Sequence, residues 1–144
     1  MLNRIDKIIY LKKVPIFQNL TGEELLFLSD ITTEENFSEN EIIFEKNTSS
    51  DKLYIIIKGI VEIYIEHKGK KQIISKLKEF DYFGEMSLFD DSLHSATAIS
   101  VSKTTCLIIP REGFLDVLTE YPSIAIELLK TLSKRIRDTT GRIL

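Results

Sequence analysis

The chain is poor in several features whose presence would have decided its class. It has one cysteine in 144 residues, so no internal disulfide can form, and a reducing, cytoplasmic setting is expected. That residue, Cys106, stands in an apolar run, where a buried and inert thiol is the expectation. No apolar run approaches the ~18 residues of a membrane span, and positions 1–13 mix charges into their apolar positions, unlike a signal peptide. The two histidines, His67 and His94, share no metal-ligand spacing with Cys106. There is no P-loop and no Ser/His/Asp arrangement, and Asp90-Asp91 reads as a solvated loop rather than an acid/base dyad. The expectation is a protein that is not an enzyme and carries no metal or cofactor. Nor is there a surplus of positive charge. The 19 basic residues are spread among 22 acidic ones, net −3, which leaves no electrostatic footprint for nucleic acid. Internal repeats, low-complexity segments and linkers are absent, so residues 1–144 are expected to form one domain. With 43% hydrophobic residues it can bury a core.

What the chain does have is two changes of hydrophobic period. Leu2, Ile5, Ile8 and Ile9 recur at helical spacing, which predicts an amphipathic helix over 3–12 that Pro15 stops. Thr21 with Glu24 three residues later is a capping box. Leu25, Leu26 and Leu28 would then give a second helix its apolar face as far as Ser29, with Phe17 and Leu20 stapling its entry. From 37 to 110 the period falls to two, predicting strands at 41–44, 52–57, 59–66, 71–77, 95–100 and 104–110, the pattern of a sandwich or barrel. In the third of these, Val61, Ile63 and Ile65 would face in and Glu62, Tyr64 and Glu66 out. Lys68-Gly69-Lys70 is a hairpin turn. Past Pro110 the helical period returns. A helix over 111–120 would turn Phe114, Leu115 and Leu118 inward. Pro122 suits the first position of a longer helix running to about 140, whose stripe is Ala125, Leu128, Leu129, Leu132 and Ile136.

The stretch 83–98, Phe-Gly-Glu-Met-Ser-Leu-Phe-Asp-Asp-Ser-Leu-His-Ser-Ala-Thr-Ala, has a layout that can cradle an anion. Gly84 lets the backbone come close to a ligand, and the unpaired N–H groups that start a helical turn at Glu85 carry partial positive charge. A carboxylate would repel a phosphate, so Glu85 makes sense as an acceptor for hydroxyl groups such as those of a ribose. Phosphate on the amides and sugar on the acid together describe a nucleotide.

At these residues the chain resembles the cyclic-nucleotide-binding domain family, whose phosphate-binding cassette reads roughly Phe-Gly-Glu-[Leu/Met]-[Ala/Gly/Ser]-Leu, a variable loop, then Arg-[Ser/Thr]-Ala-[Thr/Ser]. The resemblance runs from about Phe17 to the C-terminus. It implies a fold that is mainly β with flanking helices. This is a double-stranded β-helix, or jelly-roll-like β-roll, over 37–110, with N-terminal helices in 1–36 and two C-terminal helices in 111–144. It also implies ligand contacts from Phe83, Gly84, Glu85, Met86, Ser87, His94, Ser95 and Ala96, with Ser95 either donating to a phosphate oxygen or merely capping a turn. His94 stands where the family carries the arginine that pairs with the cyclic phosphate. An imidazole offers one donor and part-time charge in place of a guanidinium fork. The exchange should cost on the order of ten- to a hundredfold in affinity, unless His94 is a surface-loop residue without a role. Asn40 and Asn47 stand near two of the family's turn glycines and suit left-handed backbone angles. Phe80 replaces the glycine before Asp81, so the local turn is expected to differ.

The segment 133–140 resembles the part of the last helix that closes over the ligand in the family's bacterial transcription factors. That would place Arg135 near the phosphate and Thr139 and Thr140 on the adenine. The plainer alternative is a solvated helix end whose basic residues suit the dipole. In those transcription factors a DNA-binding domain follows, whereas here the chain stops at Leu144, so no DNA partner is expected. The implied function is a regulatory module that binds a cyclic nucleotide, cAMP rather than cGMP, in 83–97 and signals through its C-terminal helix to an effector protein or a second copy. The rival is a module of the same fold that no longer binds nucleotide and serves as an interaction or dimerisation domain. The stripe on the last helix is wide for a helix packed on one side. A homodimer through 122–140 is therefore expected, with Thr140 of one copy near the ligand of the other. If the helix at 3–12 covers that stripe instead, the protein is a monomer.

Overall fold

The computed structural model describes residues 1–140, the last of them by its backbone alone. Helix α1 (Arg4–Leu11) starts on Asn3, whose side chain accepts from the Asp6 amide at 2.8 Å while Asp6 reaches back to the Asn3 amide. A 3₁₀ turn at Pro15–Phe17 buries Ile16 and Phe17. Helix α2 (Gly22–Ser29) then begins on the Thr21/Glu24 capping box, with bonds of 3.1 and 2.9 Å. Each box satisfies two amides that a helix start leaves without partners.

Eight strands follow: β1 (Thr33–Phe37), β2 (Glu41–Phe44), β3 (Lys52–Lys58), β4 (Val61–His67), β5 (Lys70–Leu77), β6 (Tyr82–Phe83), β7 (Thr97–Ser100) and β8 (Thr104–Pro110). They form two antiparallel four-stranded sheets in the orders β1-β8-β3-β6 and β2-β7-β4-β5. The chain passes between the sheets repeatedly, which is the β-roll expected from the family pattern. Side chains alternate across each strand. One face of the first sheet therefore meets the second around Ile56, Val61, Ala98 and Cys106. Its other face packs under the helices around Leu53, Ile55, Leu107 and Ile109. Cys106 is buried, and burial pushes its thiol pKa up to about 12, so it stays protonated and inert.

Two strands escaped the period-two reading. β1 lies at 33–37, ahead of the expected start of the roll, because its sequence Thr-Glu-Glu-Asn-Phe buries only Phe37 and is held by pairing with β8. β6 is a two-residue pairing on β3, too short to show any period. Lys68 and Gly69 both take positive φ, 54° and 76°, forming the two-residue hairpin turn that suits the strand twist. Asn40 and Asn47 are left-handed as expected, at φ 63° and 69°.

In the turn before Asp81, Phe80 itself adopts the left-handed φ of 74°. Its ring is held on the outside by Tyr10 of α1, stacked at 4.9 Å, and by the Lys13 ammonium 5.0 Å from its centroid. Those contacts offset the cost of about 1–2 kcal/mol of a left-handed non-glycine residue.

Helix α3 (Arg111–Glu120) follows β8 directly, and α4 (Pro122–Thr140) begins on Pro122. In α3 the buried pair is Phe114 and Val117, while Leu115 is exposed, contrary to the inward face read from spacing. The stripe on α4 also divides. Ile124, Leu128 and Thr131 are buried against the domain, whereas Leu129 and Ile126 on the far side are 63% and 53% exposed. Helix α1 packs against α2 and β3, and it leaves those two side chains uncovered. No helix among the described residues is long and apolar enough to cross a membrane.

Candidate functional site

A cavity of about 410 Å³ opens where the end of the second sheet meets the loop between β6 and β7. That volume is in the range of small-molecule sites. Its floor is apolar and aromatic, made by Phe44, Ile63 and Phe83. Phe83 stacks on Tyr54 at 4.8 Å and 2°, and Phe44 leans on both rings, so the floor is a locked cluster. Apart from Ser50, the rest of the lining comes from the stretch singled out in the sequence, including Gly84, Glu85, Met86 and Ser87 and, after the loop, His94, Ser95 and Ala96.

Gly84 carries the turn into the site. It has φ 80°, and a Cβ there would lie 2.8 Å from the Lys52 carbonyl of β3. Only glycine meets both conditions. The residues after it wind into a single 3₁₀ turn, Glu85–Leu88. The Ser87 amide bonds back to the Gly84 carbonyl at 3.0 Å. The Glu85 and Met86 amides head the turn, where no earlier carbonyl of the turn can reach them. Ser87 borders the cavity, but its hydroxyl is turned inward against that of Ser50.

Glu85 is the most informative side chain. One oxygen, Oε1, faces the Arg135 guanidinium of α4 at 3.6 Å. The other, Oε2, is buried and has no hydrogen-bond partner among the described residues. A buried carboxylate oxygen left unmatched is costly, so such an atom marks a place where a donor belongs. The structure thus brings Arg135 to the cassette through Glu85. It does not do so for Thr139, whose hydroxyl donates to the Arg135 carbonyl at 2.9 Å within the helix and is exposed. The side chain of Thr140 lies outside the described residues.

His94 is not a loose surface residue. Its ring stacks on Phe44 at 3.5 Å and 6°. Its main chain exchanges bonds of 2.9 and 2.8 Å with Thr48 and Asn47. Burial lowers its pKa below the usual 6.5, with Asp51 opposing more weakly. None of the described residues that line the cavity is a lysine or an arginine.

Arg111, the first residue of α3, escaped the sequence reading. Its guanidinium donates to the carbonyls of Ser50 at 3.1 Å, Ser87 at 3.3 Å and Asp90, and it pairs with Asp91 at 3.0 Å. The available signal was electrostatic. A cation at a helix N-terminus opposes the dipole, so an arginine there needs another reason.

With this geometry the comparisons with known proteins agree. The sequence pattern of the cyclic nucleotide-binding domain matches residues 34–121, and the chain belongs to that family. The family is a regulatory ligand-binding domain rather than a catalytic one, although some members are parts of kinases. The chain is 32% identical over 119 residues to a cGMP-dependent protein kinase of Drosophila melanogaster, covering 80% of this chain and 13% of the kinase. It is 29% identical over 129 residues to the cyclic AMP receptor protein of Thermus thermophilus, covering 89% of this chain and 60% of that protein. It therefore spans less than two thirds of the length of either relative. The N-terminal domain of a transcriptional regulator from Streptomyces coelicolor A3(2) superposes with a TM-score of 0.87, covering 94% of this chain and 95% of that one. Its identity of 24% speaks for the fold alone.

Proposed function

We propose that the cavity binds a cyclic nucleotide, cAMP in preference to cGMP, and that this non-catalytic module reports occupancy through α4. The observation that carries the reading is Glu85, with one oxygen buried and unmatched and the other against Arg135. A ribose hydroxyl supplies the missing donor. The cyclic phosphate then lies toward the Glu85 and Met86 amides, with His94 and Ser95 across from them. Ligand and helix share one carboxylate, so filling the site changes what holds α4. That is the differential contact a switch requires. The preference for cAMP rests on the likeness of 133–140 to the ligand-closing helix of the family.

Titration of the purified chain with cAMP and cGMP by calorimetry tests this, with saturable heat expected and cAMP the tighter of the two. Neither heat nor a thermal shift at millimolar nucleotide would favour the rival, an interaction module that has lost its ligand. The feature on that side is the absence of lysine and arginine from the described lining.

The output partner is an effector protein or a second copy of the chain. The outward face of α4 supports the second copy. Ile126, Leu129, Ser133 and Ile136 recur at alternating intervals of three and four, the spacing of a two-helix seam. We expect a parallel homodimer through 122–140. Leu129→Glu should halve the mass seen by light scattering with little loss of stability, since Leu129 does not pack inside the domain. Leu128→Glu is a folding test instead, because Leu128 is buried. A wild-type protein that stays monomeric at high micromolar concentration overturns the dimer.

A further inference from the structure

The cavity has a front, where a ligand enters, and a back, where α3 grips the loop that forms it. Two side chains make that grip. Phe114 meets Phe89, at the end of the 3₁₀ turn, edge-on at 5.7 Å and 88°. Arg111 holds three carbonyls with one guanidinium nitrogen, Nη1: Ser50 before β3, Ser87 within the turn, and Asp90 beyond it. Its own amide bonds to the Asp51 carbonyl at 2.8 Å, which pins the start of α3 to the same place. The end of a helical turn leaves carbonyls without amides to pair, and the two N–H groups of one charged nitrogen, shared among them, serve several at once. The pairing with Asp91 adds little, because that carboxylate is 94% exposed. The three carbonyl bonds are therefore the substance of the clamp.

We infer that Arg111 is a positioning residue: it sets the shape of the 85–91 loop that meets the ligand and makes α3 follow any movement of that loop. Neither task is done by a residue that touches the ligand, and Arg111 does not line the cavity. Beyond α3 the connection continues into α4, since Phe114 and Val117 share a core with Ile124 and Leu128. Ligand occupancy thus reaches α4 by two routes, directly through Glu85 and Arg135 and indirectly through Arg111. The ligand part of this inference rests on the nucleotide reading above; the clamp itself does not.

Amide hydrogen exchange on the full chain, with and without cAMP, separates the two. In wild type, saturating cAMP should slow exchange over 111–120 as well as over 84–96. Protection confined to 84–96 overturns the coupling. Arg111→Met keeps the apolar stem but removes the donor nitrogens. It should bind cAMP at least roughly tenfold more weakly, speed ligand-free exchange over 85–92, and leave the β4–β5 hairpin unchanged. An affinity within about twofold of wild type, with unchanged exchange, overturns the positioning role. If wild type binds neither cAMP nor cGMP, the nucleotide reading fails, and Arg111 is still judged by the ligand-free exchange of the Arg111→Met chain. Should that variant be unfolded by circular dichroism, the wild-type protection pattern over 111–120 decides.

Discussion

His94→Arg should raise affinity for cyclic nucleotide on the order of ten- to a hundredfold, because it puts a permanent charge and a two-donor fork where the chain now has one imidazole. The site can accept the change. His94 already lies flat on Phe44 at 3.5 Å, and a guanidinium plane stacks on an aromatic face in the same way. The pH profile gives an independent check with a definite sign. Burial lowers the His94 pKa below 6.5 in the ligand-free protein. Between the folded and unfolded values the unfolded chain then binds more protons, so the contribution to stability is complete above about pH 6.5 and is lost as pH falls. A bound phosphate works the other way and favours the imidazolium. Asp51 favours it too, though less than burial opposes it. Wild-type affinity should therefore rise as pH is lowered from 8 to 5.5, with uptake of a proton on binding. That of His94→Arg should be much flatter. Equal affinities for the two proteins at pH 8, or a flat profile in wild type, would remove His94 from the phosphate site.

The sequence carried the fold wherever burial imposes a period. The helices at both ends, most strand positions and the Lys68-Gly69 turn were legible, although β3 and β8 bury consecutive residues on both faces and β4 breaks its alternation at a register shift between Ile63 and Tyr64. β1 was not legible, since an edge strand with one buried side chain leaves no pattern. The stripe on α4 was read as one face because apolar identity does not say which neighbour a side chain meets. Only packing assigns Leu128 inward and Leu129 outward. At the site, the Gly-Glu turn was visible because its glycine and acid are chemically specific. Arg111 was not, because a residue whose partners are main-chain carbonyls has no partner side chain to recognise. Phe80 shows the reverse case. Its identity argued against a left-handed turn, and a ring contact from α1 secured the turn regardless.

Gly59→Ala should destabilise the chain by about 2–5 kcal/mol, and the reason lies in how the two sheets are joined. Gly59 makes the step from β3 in one sheet to β4 in the other, at φ 105°. That angle is poor for any L-residue, at a cost of about 1–2 kcal/mol. A Cβ there would also stand 2.5 Å from the Lys103 carbonyl and 2.7 Å from the Thr104 Cα. Both are main-chain atoms, one just before β8 and one at its first residue, and Thr104 is buried and paired with Phe37 of β1. They cannot move without disturbing both neighbours of β8, which adds about 1–3 kcal/mol of overpacking. Gly69→Ala is the control. Its φ of 76° is also left-handed, but nothing lies within 4 Å of the added atom, so it should show the backbone cost alone. Thermal melts of the two variants separate strain from collision: Gly59→Ala should lose clearly more than Gly69→Ala. Equal losses would show that the β3–β4 step has room for a side chain, and that the close approach of β8 does not fix this corner of the roll.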